Sequence, residues 1–378
     1  MRLFIEPVES LLFRTGRPFD AGQDSFAESL FPPTPETLQG AVRATIATYW
    51  DPRKNFADAF NDLQLTNRIG DRDGYGRFRI IGLALGRYPK VRPGAVERLF
   101  PPPAHIMKSG TQLHRLLPCL LNKEVVITNF PEDVLYYLAP EGKPDDDLKP
   151  LEGWLTETEL YRTLGTKDIT DIETVKRDDI YQEEPRLGIA IQRGTKATEE
   201  GYLYQAMMIR MNHNPEHDYI YGFVVDINLV PLSPHDTLLN DEQIQQELHL
   251  PTSGWMTLGG EQRSAHFRVL STPKKRTAIL VRERSLLYLA TPAAFETDWK
   301  PSSHPAPLNT PLTAAINHYE PIGGWKLNPG DARGENKVMR RCVPAGSVYF
   351  FDKRVAFPHT LTDYGMEIGY GINYEGEW

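Results

Sequence analysis

The residues of this chain best suited to chemistry are cations set beside aromatic rings on loops. The first group is Phe13-Arg14-Thr15-Gly16-Arg17-Pro18-Phe19, followed by Phe26. Guanidinium groups offer forked donors that match phosphate oxygens, and aromatic faces stack unpaired bases. The combination suits a short single-stranded nucleic acid. A plainer reading also stands, in which the Phe residues plug the edge of a core and the Arg residues are solvated. A second group, Trp325-Lys326 with Arg333, Lys337, Arg340 and Arg341, places one aromatic beside five cations within 17 residues. There the alternative is a Trp325 packed into a core.

Other candidates carry less. Gly369-Tyr370-Gly371 with Gly376 has glycine spacing like that of a dinucleotide loop, but such a loop opens a helix and only seven residues follow Gly371. His213 and His217 beside Asp218 have metal-like spacing in a stretch that reads as a turn, and Asp145-Asp146-Asp147 reads as a solvated loop. Neither Cys119 nor Cys342 lies in a nucleophile motif. His105 and His114, flanking Lys108, are the candidates for a general base in metal-independent RNA cleavage. None of the ten histidines precedes His105, so none falls near the first strand or helix. The expectation is no catalytic residue, no metal and no cofactor.

The elements that must position these residues follow from pattern. Leu3 to Phe13 reads as a strand, with Pro7 allowing only an edge position or a kink. A helix follows: Thr34 caps it, Pro35 suits its first position, and Leu38, Val42, Ile46 and Tyr49 form one apolar stripe. Gly40 within that helix costs about 1 kcal/mol against Ala, which predicts close packing there. Residues 51–184 read as an irregular insertion containing the apolar run Phe78 to Leu85, strand-like Glu124 to Thr128 and a short helix from Trp154 to Leu164. Strand patterns return at Arg186 to Gln192, Gly201 to Met211 and Asp218 to Leu229. A capped helix begins at Asn240, and a last strand runs from Ser264 to Leu270 after Leu258-Gly259-Gly260. With the insertion set aside and Arg186 to Gln192 read as an extra strand, the order is that of a ferredoxin-like (RRM-like) α+β domain. Beyond a junction at Ser271 to Arg276, Thr277 to Ala290 reads as strand, Pro311 to Tyr319 as a short helix, and Arg340 to Phe351 as a strand pair around Pro344-Ala345-Gly346. Domains are expected at 1–270, with the insertion at about 51–185, and at 271–378.

Composition sets bounds. The 378 residues, 40% hydrophobic and 24% charged, describe a soluble globular chain of two-domain size. Two cysteines fit a reducing compartment and no apolar run reaches membrane-span length, so a cytoplasmic protein is expected. The net charge of −8 is uneven: residues 132–184 hold 16 acidic and 6 basic residues, leaving the remainder at +2 with basic stretches at 68–98, 262–284 and 326–354. Such a body fits either one phosphate-binding groove or scattered surface charge.

Five stretches, taken in order, resemble one family. They are Phe13-Arg14-x-x-Arg17-Pro18-Phe19 with Phe31-Pro32-Pro33-Thr34-Pro35-x-Thr37-x-x-Gly40-Ala41-Val42-Arg43; Pro185-Arg186-x-Gly188-Ile189 with Gly201-x-Leu203-Tyr204; Leu258-Gly259-Gly260-Glu261; Gly323-Gly324-Trp325 through Val343-Pro344-Ala345-Gly346-Ser347-Val348-Tyr349; and Gly369-Tyr370-Gly371. Together they resemble the RAMP proteins of CRISPR effector complexes, most of all the Cmr-three family of type III-B complexes. The resemblance covers nearly the whole chain except residues 51–184. It implies tandem ferredoxin-like domains, the second degenerate, and a non-catalytic subunit. It also implies three partners: the 5′ tag of the guide RNA (crRNA), the large Cas10-type subunit and the backbone RAMP subunits. On this reading Arg14, Arg17, Arg43, Arg193, Lys196 and Arg263 are expected at phosphates, with Phe19 and Trp325 as stacking faces and Lys326 beside them. The acidic stretch 132–184 is expected to face away from RNA. Two other functions remain open: a RAMP endoribonuclease using His105 or His114, and a small-molecule enzyme on a ferredoxin-like fold.

Overall fold

A computed structural model describes the chain apart from residues 16–25, 54–55, 72, 122–134, 166–168, 192–197, 213–217, 234, 273–282 and 329–330. For residues 26, 56–57, 189–191, 198–204, 325–328 and 331–335 it describes the backbone alone. The fold is mixed α+β with antiparallel sheets and few helices. The chain forms two compact units. One comprises Met1–Val96, Arg177–Pro273 and Pro321–Arg340, the other Glu97–Lys176, Lys274–Glu320 and Arg341–Trp378.

In the first unit, β1 (Arg2–Pro7), α1 (Pro35–Trp50), β2 (Phe78–Pro89), β3 (Tyr219–Leu229), α2 (Asp241–Glu247) and β4 (Ser264–Leu270) follow one another as βαββαβ. Their sheet order is β4-β1-β3-β2, with Ser253–Thr257 on the far side of β4. Thus β1 is interior, and the position of Pro7 is explained by the strand ending there rather than by an edge. The apolar run expected within the insertion is β2, paired with β3 from Phe78↔Leu229 to Pro89↔Tyr219. The pattern at Tyr181–Ile191 and Thr198–Met211 instead forms a separate hairpin, held beside the opening segment by the Leu11↔Ile209 bridge. β3 is buried along most of its length, so it lies in the sheet interior rather than half-exposed.

One charged pair is buried in this sheet. Arg2 donates to both carboxylate oxygens of Asp226, at 2.6 and 2.8 Å. Asp226 sits at a bulge against Gly82, where a Cβ would stand 2.6 Å from the carboxylate. The sheet face carrying Phe4, Tyr88 and Val224 is also covered, with Arg268 4.5 Å from the Tyr88 ring centroid. Burial and a hydrogen bond to Glu6 push the Tyr88 hydroxyl up to about 12. Phe4 and Tyr88 are therefore withheld from stacking, whereas Trp255, in register with His266 on the same face, is 61% exposed.

α1 forms as its sequence predicts. Thr34 accepts from the Thr37 N–H at 3.3 Å, Pro35 opens the helix, and Leu38, Val42 and Ile46 are buried. At its far end Tyr49 accepts from the Trp255 N–H at 3.1 Å, occupying the free edge of Ser253–Thr257. α2 carries the capping box expected at Asn240 and Gln243.

The second unit is built on an antiparallel sheet ordered Thr313–Ala315, Val348–Phe350, Ser285–Leu289, Asn373–Glu377. Segment 97–176, expected inside the first domain, clusters here. Its Phe100 packs edge-on to Tyr374 at 5.5 Å, its Pro101 carbonyl accepts from the Tyr288 hydroxyl at 2.7 Å, and its Ala104 N–H donates to Gly346. Among the described residues this unit has one α-helix, Glu157–Thr163, close to the one expected. The short helix expected near 311–319 is the strand Thr313–Ala315. Arg340–Val343 and Val348–Phe350 do form strands, but they pair in different sheets. The expected strand at 124–128 lies outside the described residues.

Candidate nucleic-acid interface

Four of the sequence stretches singled out above meet in the first unit around a cavity of about 620 Å³, within the usual range for ligand sites. Leu12 to Thr15 form one wall. The first turns of α1, from Thr34 to Ala44, form a second, and Thr257 with Gly259 and Gly260 a third. Pro321 to Gly324 with Asn336 and Lys337 close the fourth side. Residues more than 300 positions apart thus face one space.

The opening segment is a stem. Leu30 donates to the Phe13 carbonyl at 2.8 Å, Phe13 donates to Ser29 Oγ at 3.3 Å, and Arg14 bridges Ser29. Phe13 is buried edge-on to Phe223 at 6.0 Å, which places it in the core as the plainer reading has it. Arg14 is exposed and lines the cavity. Arg17 and Phe19, beyond the stem, lie outside the described residues, as do Arg193, Lys196, His213 and His217. Trp325 and Lys326 lie on the strand Trp325–Asn328, directly after the glycines of the cavity wall, and only their backbone is described.

The two remaining expected contacts are engaged within the chain. Arg43 donates to the carbonyls of Asp71 and Gly74, at 2.5 and 3.3 Å, and stands over the Tyr75 ring at 5.2 Å. Burial pushes its guanidinium below the usual value. It ties α1 to the loop that precedes β2. Arg263 pairs with Glu9 at 3.1 Å and Glu261 at 2.6 Å. The Ser264 N–H and the Arg263 guanidinium hold Glu9 below the usual carboxylate range. Arg263 therefore fixes the turn in which Gly259, Glu261 and Gln262 all take positive φ.

The glycines have distinct reasons. A Cβ on Gly259 would stand 2.7 Å from the Leu12 carbonyl, and Gly260 donates to that same carbonyl at 2.8 Å. This turn approaches the chain's own opening segment, not an external backbone. Gly40 contradicts its expectation: a Cβ there would meet nothing within 4 Å, and the residue lines the cavity. A Cβ on Gly324 would collide with the Glu36 carboxylate, which in turn pairs with Lys337 at 3.0 Å. Sequence reasoning missed Glu36 and Gly40 as wall residues; the signal was present in Gly40, a helix-breaking residue with no turn to explain it.

His105 and His114 belong to the second unit, 1% and 7% exposed. Burial, with Arg115 nearby, pushes His105 down to about 3. Neither ring reaches a surface on which a ribose hydroxyl would lie. Among the described residues no group of three or more His, Cys, Asp or Glu side chains is arranged to hold a metal, and no helix is long and apolar enough to cross a membrane.

Fold and site together define an α+β protein whose glycine-rich loops and one capped helix line an open cavity of mixed polar and apolar wall. Residues 3–378 match the family described as CRISPR-associated protein (Cas_Cmr3), and the chain belongs to that family. It is similar, at 17% identity, to a chain in a cryo-EM structure of the type III-B Cmr-beta complex bound to cognate target RNA and AMPPnP, with a TM-score of 0.45. The match covers 93% of this chain and 86% of that one. A second Cmr-beta structure bound to cognate target RNA gives the same identity and coverage with a TM-score of 0.43. A comparison with curated proteins finds no match.

Proposed function

We propose that this chain is a non-catalytic RNA-binding and scaffolding subunit of a type III-B CRISPR effector complex. It holds the single-stranded 5′ tag of the crRNA at the cavity and links the large Cas10-type subunit to the RAMP backbone. The observation that carries this reading is convergence. The opening Arg segment, the start of α1, the Gly259-Gly260 turn and the Gly323-Gly324 segment all resemble the family, and all line one space. Single strands are held by cations at phosphates and by splayed bases on apolar or aromatic faces. Arg14 stands in the cavity wall, and Arg17, Phe19, Arg193, Lys196, Trp325 and Lys326 complete the proposed contact set. Arg43 and Arg263 act by fixing the walls, since their donors are engaged internally. Exposed Val338 and Met339, directly after the Lys337 wall, suit contact with a neighbouring subunit. The two units are read as tandem ferredoxin-like domains, the second degenerate, in a cytoplasmic assembly.

The endoribonuclease alternative loses its proposed bases to burial. A small-molecule enzyme would show no salt-sensitive affinity for single-stranded RNA. The test is the full chain carrying Arg14→Ala and Arg17→Ala, titrated with single-stranded guide RNA from about 50 to 200 mM salt. Losing two phosphate contacts flattens the log–log salt slope by about 1.4. Binding and slope equal to the parent chain would refute the assignment.

A further inference from the structure

The cavity wall contains a carboxylate where an RNA-binding surface has no evident use for one. Glu36 stands in the first turn of α1 with its side chain 10% exposed, paired at 3.0 Å with a Lys337 that is 27% exposed. Gly324 leaves the room this carboxylate occupies, and the Lys337 N–H donates to the Gly324 carbonyl at 2.9 Å. The backbone is thus pinned beside the pair, and only the lysine side chain needs to move for the pair to open. A lysine is a compact charge on a flexible stem, suited to changing partners. The start of α1 supplies a positive helix end that continues to compensate Glu36 when the lysine turns away.

We propose that Glu36 is an internal stand-in for an RNA phosphate. In the free chain it holds Lys337 in the cavity wall, and on binding it yields Lys337 to the RNA backbone. This rests on the reading above that RNA occupies the cavity. The consequence is selectivity: a neutral ligand has nothing to exchange for the carboxylate, whereas a phosphate replaces it charge for charge.

The experiment is a double-mutant cycle on the full chain with single-stranded guide RNA, using Glu36→Gln, Lys337→Met and both together. Glu36→Gln is expected to bind about fivefold tighter, the weight of one partly exposed ion pair. Lys337→Met is expected to bind more weakly, with a salt slope flatter by about 0.7. In the Lys337→Met background the gain from Glu36→Gln is expected to vanish. A gain that persists there would make Glu36 a simple repulsive charge, and a Glu36→Gln that binds more weakly would make the pair a structural clamp; either overturns the proposal. Should Glu36→Gln fail to fold, Lys337→Met decides alone, because an unchanged slope overturns the exchange. The underlying RNA reading fails separately, when Arg14→Ala with Arg17→Ala changes neither affinity nor slope.

Discussion

Filling the cavity at Gly40 separates a site from a packing defect. Gly40 lies within a 16-residue helix, and a Cβ there meets nothing within 4 Å. Gly40→Ala therefore gains helix propensity and loses unfolded-state entropy without a clash, about 0.4–1 kcal/mol in favour of the fold. For a domain of this size that raises Tm by about 1–4 °C. Gly40→Leu keeps most of that gain in the free chain but projects its side chain into the cavity of about 620 Å³ that the RNA is proposed to occupy. A side chain that excludes a bound nucleotide removes one stacking contact of about 1–3 kcal/mol, which is about 5- to 150-fold in affinity. Because no charge changes, the salt slope stays at the parent value. The assay pairs thermal unfolding with RNA titration at two salt concentrations. A Gly40→Leu chain at least as stable as the parent and with unchanged RNA affinity would refute the placement of RNA in this cavity.

Other outcomes follow from the same contacts. Arg2→Met strands a buried carboxylate and is expected to cost about 3–5 kcal/mol by denaturant unfolding, whereas Arg2→Met with Asp226→Leu recovers much of the loss. Gly259→Ala combines positive φ with a Cβ against the Leu12 carbonyl and is expected to cost about 1–3 kcal/mol; an unchanged midpoint would contradict the turn geometry. His105 is depressed to about 3 when folded, so protons bind the unfolded chain first. Stability is then full above pH about 6.5 and falls as pH drops towards 3, and His105→Phe should remove that part of the pH dependence. Tyr88 is raised to about 12, so its contribution is full below pH about 10 and is lost as pH rises through 12; Tyr88→Phe should abolish that loss in an alkaline unfolding series.

Much of the first unit was legible because its signals are local. The Thr34 cap, the Pro35 start and the Leu38–Val42–Ile46 stripe predict α1, and Asn240 with Gln243 predicts α2. The strand that pattern alone places in the insertion, Phe78–Pro89, is the one whose signal is not local. Its apolar run lacks the alternation of a half-buried strand, and only its partner Tyr219–Leu229 shows where it belongs. Chain proximity puts segment 97–176 with the first domain, whereas its contacts through Phe100, Pro101 and Ala104 are to residues far along the chain. The site shows the same division. Each motif was readable as a stretch of glycines or arginines, but their meeting depends on tertiary closure. Partners decided the rest: Arg43 and Arg263 look like free cations in sequence until Asp71, Gly74, Glu9 and Glu261 are brought to them.

Photo-crosslinking tests the central claim most directly. Thr37, which lines the cavity in the first turn of α1, is replaced by benzoylphenylalanine in the assembled complex carrying crRNA with a labelled 5′ end. The predicted result is a covalent adduct between this chain and the first nucleotides of the crRNA, lost in the Gly40→Leu background. An adduct to another protein subunit in place of RNA, in a complex that still retains its crRNA, would contradict the account.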